Sequence, residues 1–412
     1  MADPILVTDS DLDLLRGAVT GFEPAYLTDL ARLVNIDCGS YTKAGVDEVG
    51  HWVESQFERL GGSVTRHRHE TYGDTIVGTF EGAPAAGGVP GTPGGRSVLL
   101  IGHMDTVFDP GTAAARPFRT EDGRAYGPGV TDMKGGLLTG IYALAALREL
   151  PGGLPFARLT FVANPDEEIG SPTSTAIITE LAVDADVCLV LECARANGDI
   201  VSSRKGIVDA RVTVHGRAAH AGVEPEKGRS AILAAAQLVP ALHALTGRWP
   251  GVTCNVGVID GGTRPNVVAE EAHLELDIRA IHGDDLDAAV AAIRELIAAP
   301  AVPDVTMDME TMASWRPMEK LERSGRLVDL AVTLAGRLGF DLRDAATGGA
   351  SDANTTSGMG IPSLDGLGPI GGGDHAPAEY LELDSIVPRT TLVAGLLLAI
   401  ARDPIIASWR AG

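Results

Sequence analysis

The chain has 412 residues, of which 45% are hydrophobic, so it can bury more than one large core. It carries 33 basic and 55 acidic residues, a formal net charge of −22, which excludes nucleic-acid binding through a general basic surface. We therefore expect two domains and no nucleic-acid partner.

The termini and the cysteines predict a cytoplasmic protein that does not bind a membrane. Residues 1–6 lack a basic segment followed by a long apolar one, so we expect no signal peptide. The apolar run Leu392 to Ile400 is too short to cross a bilayer. The four cysteines have neither zinc-finger spacing nor the density of a disulfide framework. They are Cys38, Cys188, Cys193 and Cys254.

From the N-terminus to about residue 204, strand-like runs alternate with helical ones. Apolar positions in Val46 to Leu60 recur at helical spacing, which predicts a helix there. Residues 83–95 are dense in Gly, Pro and Ala and indicate a flexible surface loop. The alternation of strands and helices is typical of an α/β domain.

The apolar run 97–102 ends in two polar residues, His103 and Asp105. Alternation along a strand would aim both side chains to the same side of the strand end. A histidine that binds metal usually needs an acceptor that fixes its tautomer, and Asp105 can supply one. Taken alone, His103 is more often an ordinary strand-end histidine, but the motifs that follow it favour a metal ligand.

A glycine-rich turn, residues 127–136, carries Asp132 and opens onto the apolar helical stretch Leu137 to Leu147. Asp132 is therefore a second candidate ligand. Lys134 lies in the same turn, and we expect it to pair with a neighbouring carboxylate.

Two consecutive glutamates, Glu167 and Glu168, follow the strand-like run 159–164. Consecutive carboxylates in a loop can face different directions. One can then bind a metal while the other accepts a proton from water.

Glu192 ends a third strand-like run, 187–191, and His375 lies in the glycine-rich segment 371–377. In an α/β sheet, the loops beyond the carboxyl ends of the strands converge on one crevice, so we expect these residues to form one site. The donors are imidazole and carboxylate, which suit zinc, and there are enough of them for two ions about 3.5–4 Å apart. The sequence therefore predicts a two-metal centre.

A different pattern begins near residue 205. Four strands and two helices alternate there, which predicts one sheet covered on one face, an α+β domain inserted into the larger one. Its clearest elements are the strands Val208–Val214, Thr253–Ile259 and Ala272–Ile278 and the helices Ser230–Leu245 and Asp284–Ala298. The predicted domains are a discontinuous catalytic domain, residues 1–204 and 318–412, and an inserted domain, residues 205–317.

The run around His103, the turn with Asp132, the Asp-Glu-Glu of residues 166–168 and the late Gly-Gly-Asp-His together resemble the M20 family of di-zinc aminoacylases and carboxypeptidases. Within that family the chain is most similar to the glutamate carboxypeptidase branch. The resemblance implies a mixed-sheet zinc-peptidase domain with an inserted lid and dimerisation domain. It also implies two Zn²⁺ ions, with Co²⁺ or Mn²⁺ as substitutes.

The resemblance assigns roles to the residues of the predicted centre. Asp132 would bridge the two metals, with His103 and Glu192 on one ion and Glu168 and His375 on the other. Glu167 would be the general base, and Asp105 would be the partner of His103. The residue after the Glu192 position is often proline in the family and here is Cys193, which is either an inert small residue or an additional soft donor.

In the inserted domain the resemblance implies a homodimer in which His220 stabilises the oxyanion from the partner subunit. Asn266 and Arg279 would hold a substrate carboxylate, and Arg316 and Gly349 complete the binding candidates. Two other interpretations stay open: His220 could cap a turn, and the two arginines could form structural ion pairs.

The sequence thus predicts zinc-dependent hydrolysis of an amide bond that releases a C-terminal amino acid, with glutamate favoured, from a peptide or N-acyl amino acid. An N-acyl amino acid deacylase or a desuccinylase of the same family is the main alternative. A non-catalytic relative that binds metal or an amino acid ranks lower, because no ligand or base is missing. A two-metal phosphatase is disfavoured, because no phosphate-cradling motif accompanies the ligands.

Overall fold

The computed structural model describes residues 6–82 and 96–409, so the predicted loop 83–95 lies outside the described residues. Within the described ranges the helices are α1 (Asp9–Val34), α2 (Lys43–Arg59), α3 (Thr112–Ala115), α4 (Gly136–Arg148), α5 (Ser174–Ala182), α6 (Ala231–His243), α7 (Gly283–Ala298), α8 (Glu322–Leu338), α9 (Asp352–Gly358), α10 (Ile386–Arg402) and α11 (Pro404–Ser408). The strands are β1 (Ser63–His67), β2 (Thr75–Glu81), β3 (Ser97–His103), β4 (Arg119–Glu121), β5 (Arg124–Tyr126), β6 (Arg158–Asn164), β7 (Val187–Val190), β8 (Ile200–Arg204), β9 (Gly206–His215), β10 (Thr253–Gly261), β11 (Glu271–Ala280), β12 (Thr306–Trp315), β13 (Asp344–Thr347), β14 (Ser363–Leu364), β15 (Gly371–Gly372) and β16 (Tyr380–Glu382).

The chain forms two compact units. Unit 1 comprises Met1–Ser202, Lys320–Ala346 and Ser351–Gly412, and unit 2 comprises Ser203–Glu319 and Thr347–Ala350.

Unit 1 contains a six-stranded sheet in the order β1-β2-β6-β3-β7-β14. The strands β6, β3, β7 and β14 run parallel, whereas β1 and β2 are antiparallel to their neighbours, so the sheet is mixed. The central strand β3 is buried from Val98 to His103, which explains why its sequence is a continuous apolar run rather than an alternating one. The predicted mixed-sheet α/β class is confirmed.

The helices α1, α4, α8 and α10 pack against one another and form part of the core of unit 1. With the short turn before it, α10 forms a continuous helix, Leu383–Arg402, of 20 residues with a mean hydropathy of 1.5. By length and composition it could cross a membrane, but most of it is buried in the protein, which is typical of a core helix. The apolar run Leu392 to Ile400 is only part of this helix, so the helix is longer than that run predicted.

Unit 2 contains an antiparallel sheet in the order β10-β11-β9-β12. Its inward side chains, such as Val212, Val214, Leu274 and Ile278, alternate with exposed polar ones and pack with residues of α6 and α7 in one core. The prediction of two helices on a four-stranded sheet is confirmed.

Candidate metal centre and active site

Three neighbouring parallel strands of unit 1 end at the predicted ligands. His103 is the last residue of β3, Glu167 and Glu168 follow β6, and Glu192 follows β7. Because β6, β3 and β7 lie side by side and run in the same direction, their carboxyl ends meet at one edge of the sheet.

Asp132 reaches the same edge from the loop that precedes α4. A Cβ atom added at Gly136, the first residue of α4, would lie 1.8 Å from the carbonyl oxygen of Leu191. Glycine therefore lets the start of α4 approach the segment that carries Glu192, and this contact fixes the position of the Asp132 loop.

Asp132 presents one carboxylate oxygen to each of the two histidines. His103 Nε2 lies 3.2 Å from Asp132 Oδ1 and 3.7 Å from Glu192 Oε1. His375 Nε2 lies 3.1 Å from Asp132 Oδ2 and 3.1 Å from Glu168 Oε2. The five predicted ligands are thus brought together in two groups that share Asp132.

The donor set fits divalent cations. The ligand atoms of His103, Glu167 and Glu192 lie within 4.8 Å of one another, and so do those of His103, Asp132 and Glu168. Hydrogen bonds to Asp132 and Glu168 raise the pKa of His375 to about 10, which shows that these carboxylates favour positive charge at this position. Imidazole and carboxylate donors are those that zinc accepts.

Asp105 contacts both His103 and the backbone of the two glutamates. The Nδ1 atom of His103 lies 3.0 Å from the carbonyl oxygen of Asp105 and 3.3 Å from its Oδ1. The buried Asp105 carboxylate also accepts hydrogen bonds from the backbone N–H groups of Glu167 and Glu168, each at 3.2 Å, and from the Ser40 hydroxyl. One carboxylate therefore orients a candidate ligand and fixes the turn that carries the candidate base.

Glu167 has the electrostatic environment of a proton acceptor. Its side chain is buried, and this burial, together with the negative charge of Glu192, raises its pKa well above the ordinary value. A carboxylate with a raised pKa binds a proton more readily than an ordinary one, so Glu167 is suited to accept a proton from water.

Sequence reasoning missed Glu379, a buried residue of unit 1. Its carboxylate accepts hydrogen bonds from the backbone N–H groups of Gly129 at 2.8 Å, Thr131 at 2.9 Å and Asp132 at 3.1 Å. Burial raises its pKa to about 7. Glu379 thus holds the loop of the shared ligand, and the only sequence signal was its position four residues after His375.

Sequence reasoning also assigned no role to Asp352. This buried carboxylate accepts hydrogen bonds from Ser171 Oγ and Asn164 Nδ2, each at 2.6 Å. Burial raises its pKa to about 6. Since Asn164 ends β6, Asp352 fixes the segment from which Glu167 projects.

Lys134 and Cys193 follow the candidate ligands Asp132 and Glu192 in the sequence and bond to different kinds of group. The expectation of a carboxylate partner for Lys134 is wrong, because its Nζ donates to the backbone carbonyls of Pro128 at 3.1 Å and Ile36 at 3.4 Å. Cys193 is half-buried, and its thiol donates to Asp374 Oδ2 at 3.7 Å.

In unit 2, His220 and Asn266 lie in two loops that pair with each other. The N–H of Ala221 donates to the carbonyl of Asn266 at 3.0 Å, and both predicted residues are exposed. His220 Nδ1 accepts a hydrogen bond from the N–H of Gly222, so the turn-capping interpretation describes part of its local geometry.

The arginine candidates of unit 2 form ion pairs. Arg279 bonds to Asp277 at 2.8 Å and donates to the carbonyl of Gly348, next to Gly349. Arg316 bonds to Asp287 of α7 at 2.6 Å. A substrate carboxylate would have to compete with these partners.

Comparisons with known proteins identify peptidases and a desuccinylase as similar proteins. The profile of peptidase family M20/M25/M40 matches residues 99–399. The chain is 32% identical to carboxypeptidase G2 of Pseudomonas sp. (strain RS-16), over 94% of this chain and 92% of that protein. It is 28% identical to the succinyl-diaminopimelate desuccinylase of Caulobacter sp. (strain K31), over 73% of this chain and 80% of that protein. A tripeptidase from Staphylococcus aureus has a similar fold, with a TM-score of 0.76, 23% identity and coverage of 92% of this chain and 99% of that one.

Proposed function

The chain belongs to peptidase family M20/M25/M40, and we propose that it hydrolyses an amide bond at a two-zinc centre, releasing a C-terminal amino acid, glutamate foremost. The substrate would be a peptide or an N-acyl amino acid. The observation that carries this proposal is the position of Asp132, which presents one oxygen to His103 and the other to His375. A carboxylate shared in this way is what a pair of closely spaced cations requires.

Five side chains would hold the ions: His103 and Glu192 at one, His375 and Glu168 at the other, and Asp132 between them. When bound, zinc supplies Lewis-acid polarisation of the scissile carbonyl and lowers the pKa of water. Asp105 keeps the His103 ring oriented through Nδ1. Glu167 accepts the proton of the attacking water on its carboxylate and delivers it to the leaving amine nitrogen.

The choice of a C-terminal amino acid is supported by the relatives rather than by a pocket. Carboxypeptidase G2 is named for removal of a C-terminal residue, and the chain matches it over almost its whole length. Asn266, Arg279, Arg316 and Gly349 are the candidates for holding the free carboxylate. Deacylation or desuccinylation is the second candidate, favoured by the match to a desuccinylase.

A hydrolysis screen tests the proposal. Chelated protein and protein with zinc restored are incubated with N-acyl amino acids and dipeptides, and the free amino acid is identified. We expect zinc-dependent release of glutamate from its N-acyl derivatives. Binding without turnover would instead support a non-catalytic relative, and equal turnover with and without chelator would overturn the metal assignment.

We also propose a homodimer formed through unit 2. Its edge strand β10 exposes Val258 and Ile259, by 46% and 52%, and the start of α6 exposes Ile232 and Leu233, by 44% and 50%. Exposed apolar side chains on an edge strand favour association, because they leave both apolar area and unpaired backbone groups in water. Sedimentation of wild-type protein and of Ile259→Lys should give a dimer and a monomer; a wild-type monomer would overturn the proposal.

Mixing two inactive variants tests whether His220 acts in the partner's site. Glu167→Gln and His220→Ala each lack one group, and exchange of subunits creates mixed dimers. If His220 acts across the interface, each mixed dimer has one complete site, and random exchange restores about one quarter of the wild-type activity. No restoration would place His220 in the site of its own subunit.

A further inference from the structure

The segment Gly366 to Ile370 of unit 1 lies between β14 and β15 and contacts the loop that carries Glu192. The N–H of Gly368 donates to the carbonyl of Glu192 at 2.8 Å. The N–H of Ala194 donates to the carbonyl of Pro369 at 3.0 Å. The backbone of this candidate ligand is therefore held by two hydrogen bonds to one segment.

Glycine lets this segment approach the supports of two candidate ligands. A Cβ atom added at Gly368 would lie 2.9 Å from the carbonyl oxygen of Glu192 and 3.2 Å from the Cα atom of Gly136. Gly136 begins α4, which follows the loop of Asp132. The same segment continues through β15 to His375. A displacement of Gly368 would therefore disturb the backbone that positions the ligands.

Arg389, near the start of α10, binds this segment with its buried side chain. It donates through Nε to the carbonyl of Gly368 at 2.9 Å and through Nη2 to that of Gly366. Through Nη1 it donates at 3.0 Å to the carbonyl of Gly198, which lies in the same loop as Glu192. One side chain therefore joins the segment to the loop of a candidate ligand.

The three carbonyl groups explain why this residue is an arginine. Gly198, Gly366 and Gly368 lie outside the strands, so their carbonyls need donors other than a strand ladder. A guanidinium has five N–H donors in a planar fork and can satisfy several carbonyls at once. Burial lowers the pKa of Arg389 to about 10, so the side chain is still charged at neutral pH. Burying a charge is costly, and the hydrogen bonds to these loops offset that cost.

We propose that Arg389 is a positioning residue of the metal centre: its guanidinium keeps the segment Gly366 to Ile370 against the loop of Glu192 and so fixes Glu192 for metal binding. Without its donors, three carbonyls would lose their partners and the contact between segment and loop would loosen. This inference rests on the proposed function, because it assigns a support to the same metal centre.

Zinc affinity, measured by competition with a chelator, tests the role of Arg389. Arg389→Met removes the donors and keeps an unbranched side chain, and we expect zinc affinity to fall by about tenfold or more. Arg326→Met is the matched control. Arg326 is also largely buried in unit 1, but it pairs at 2.8 Å with Asp403, the N-cap of α11. Its loss should lower the urea midpoint and leave zinc affinity unchanged.

Hydrogen exchange of the zinc-free protein gives a second readout that does not depend on metal. The amides of Gly368 and Ala194 should exchange faster in Arg389→Met than in the wild type, because their hydrogen bonds join the segment to the loop. In Arg326→Met they should exchange as in the wild type. If Arg389→Met does not fold, Arg389→Lys, which has fewer donors, is judged by the same two measurements.

The two readouts separate the inference from the proposed function. Unchanged zinc affinity in the Arg389 variant, an equal loss in the Arg326 variant, or zinc loss without faster exchange overturns the inference and leaves the proposed function. A wild-type protein that binds no zinc overturns the proposed function, and faster exchange in the Arg389 variant would then still support the contact between segment and loop. Absence of both zinc binding and faster exchange overturns both.

Discussion

Charged residues are arranged differently in the two units. On the open face of the unit 2 sheet, half-exposed side chains of opposite charge lie side by side, as in Arg211 with Glu275 and Arg279 with Asp277. At the sheet edge of unit 1, buried carboxylates such as Glu167 have other carboxylates and histidines as neighbours. Burying like charges together costs free energy, whereas pairing opposite charges at the surface does not. Burial and sign, rather than the number of charges, therefore distinguish a reactive centre from a solvated surface.

Replacing the candidate base should have the largest effect and would test the comparison most directly. Glu167→Gln keeps the shape of the side chain but cannot accept a proton, so we expect kcat to fall by about 10²- to 10⁴-fold with zinc content unchanged. Zinc is measured by elemental analysis and turnover by amino-acid release. The matched variant Glu168→Gln should lose zinc instead. If the Glu167→Gln enzyme also loses zinc, Glu167 is a ligand. This outcome is compatible with the structure, because Glu167 lies with His103 and Glu192 in one group that could hold a metal ion.

Asp352 should make the metal-free protein less stable as the pH rises. Its pKa is about 6 in the folded protein against an ordinary value of 3.8, so the folded state keeps a proton that the unfolded chain has lost between these values. Folding then takes up a proton, and the free energy of unfolding falls by about 2 kcal/mol through this group as the pH rises from 4 to 6.

Urea unfolding of chelated protein across that range checks the sign. Asp352→Asn removes the titrating group, so its free energy of unfolding should fall less steeply with pH than that of the wild type. Comparing slopes removes any constant loss caused by the new amide. Equal slopes would show that Asp352 does not titrate in this window.

Glu379→Gln should weaken metal binding. The amide of glutamine would present N–H groups to a loop that offers only N–H donors, so the segment Gly129 to Asp132 would lose part of its anchor. Loss of such a supporting contact typically costs about 10- to 100-fold in metal affinity or activity. Competition with a chelator measures the zinc affinity directly.

Glu382→Gln is the control for Glu379→Gln. Glu382 lies in the neighbouring strand β16 but pairs with Arg124, at 2.8 Å, rather than with the loop. Its replacement should leave zinc affinity unchanged. If both variants weaken zinc equally, the effect belongs to the general stability of this small sheet and not to the anchor of Asp132.

Removing a paired charge in unit 2 should have the smallest effect. Arg211 and Glu275 are each nearly half exposed, and such pairs contribute little because water and salt screen them. Arg211→Ala should therefore leave the urea midpoint unchanged within error. A clear loss of stability would show that the open face of this sheet carries more than solvated charge.

Short-range patterns in the sequence were sufficient for much of the fold. Helical spacing predicted α2 over residues 46–60, and the apolar stretch after the glycine-rich turn predicted α4 over 137–147. The structure has these helices at Lys43–Arg59 and Gly136–Arg148. The α/β class followed from the alternation of strands and helices, whereas the mixed sheet was implied only by the resemblance to the M20 family. The gathering of His103, Glu168 and Glu192 was also predictable, because residues that end neighbouring parallel strands meet at one edge.

Only the tertiary structure decided which contacts support these residues. Glu379 bonds to Gly129, 250 residues away, and Asp352 bonds to Asn164 and Ser171. Periodicity and propensity are local properties, whereas a buried polar group takes whichever partner the folded chain brings near it, since leaving it without one is costly. Lys134 is an example. The sequence predicted that its side chain pairs with a carboxylate, but in the folded chain its Nζ donates to backbone carbonyls.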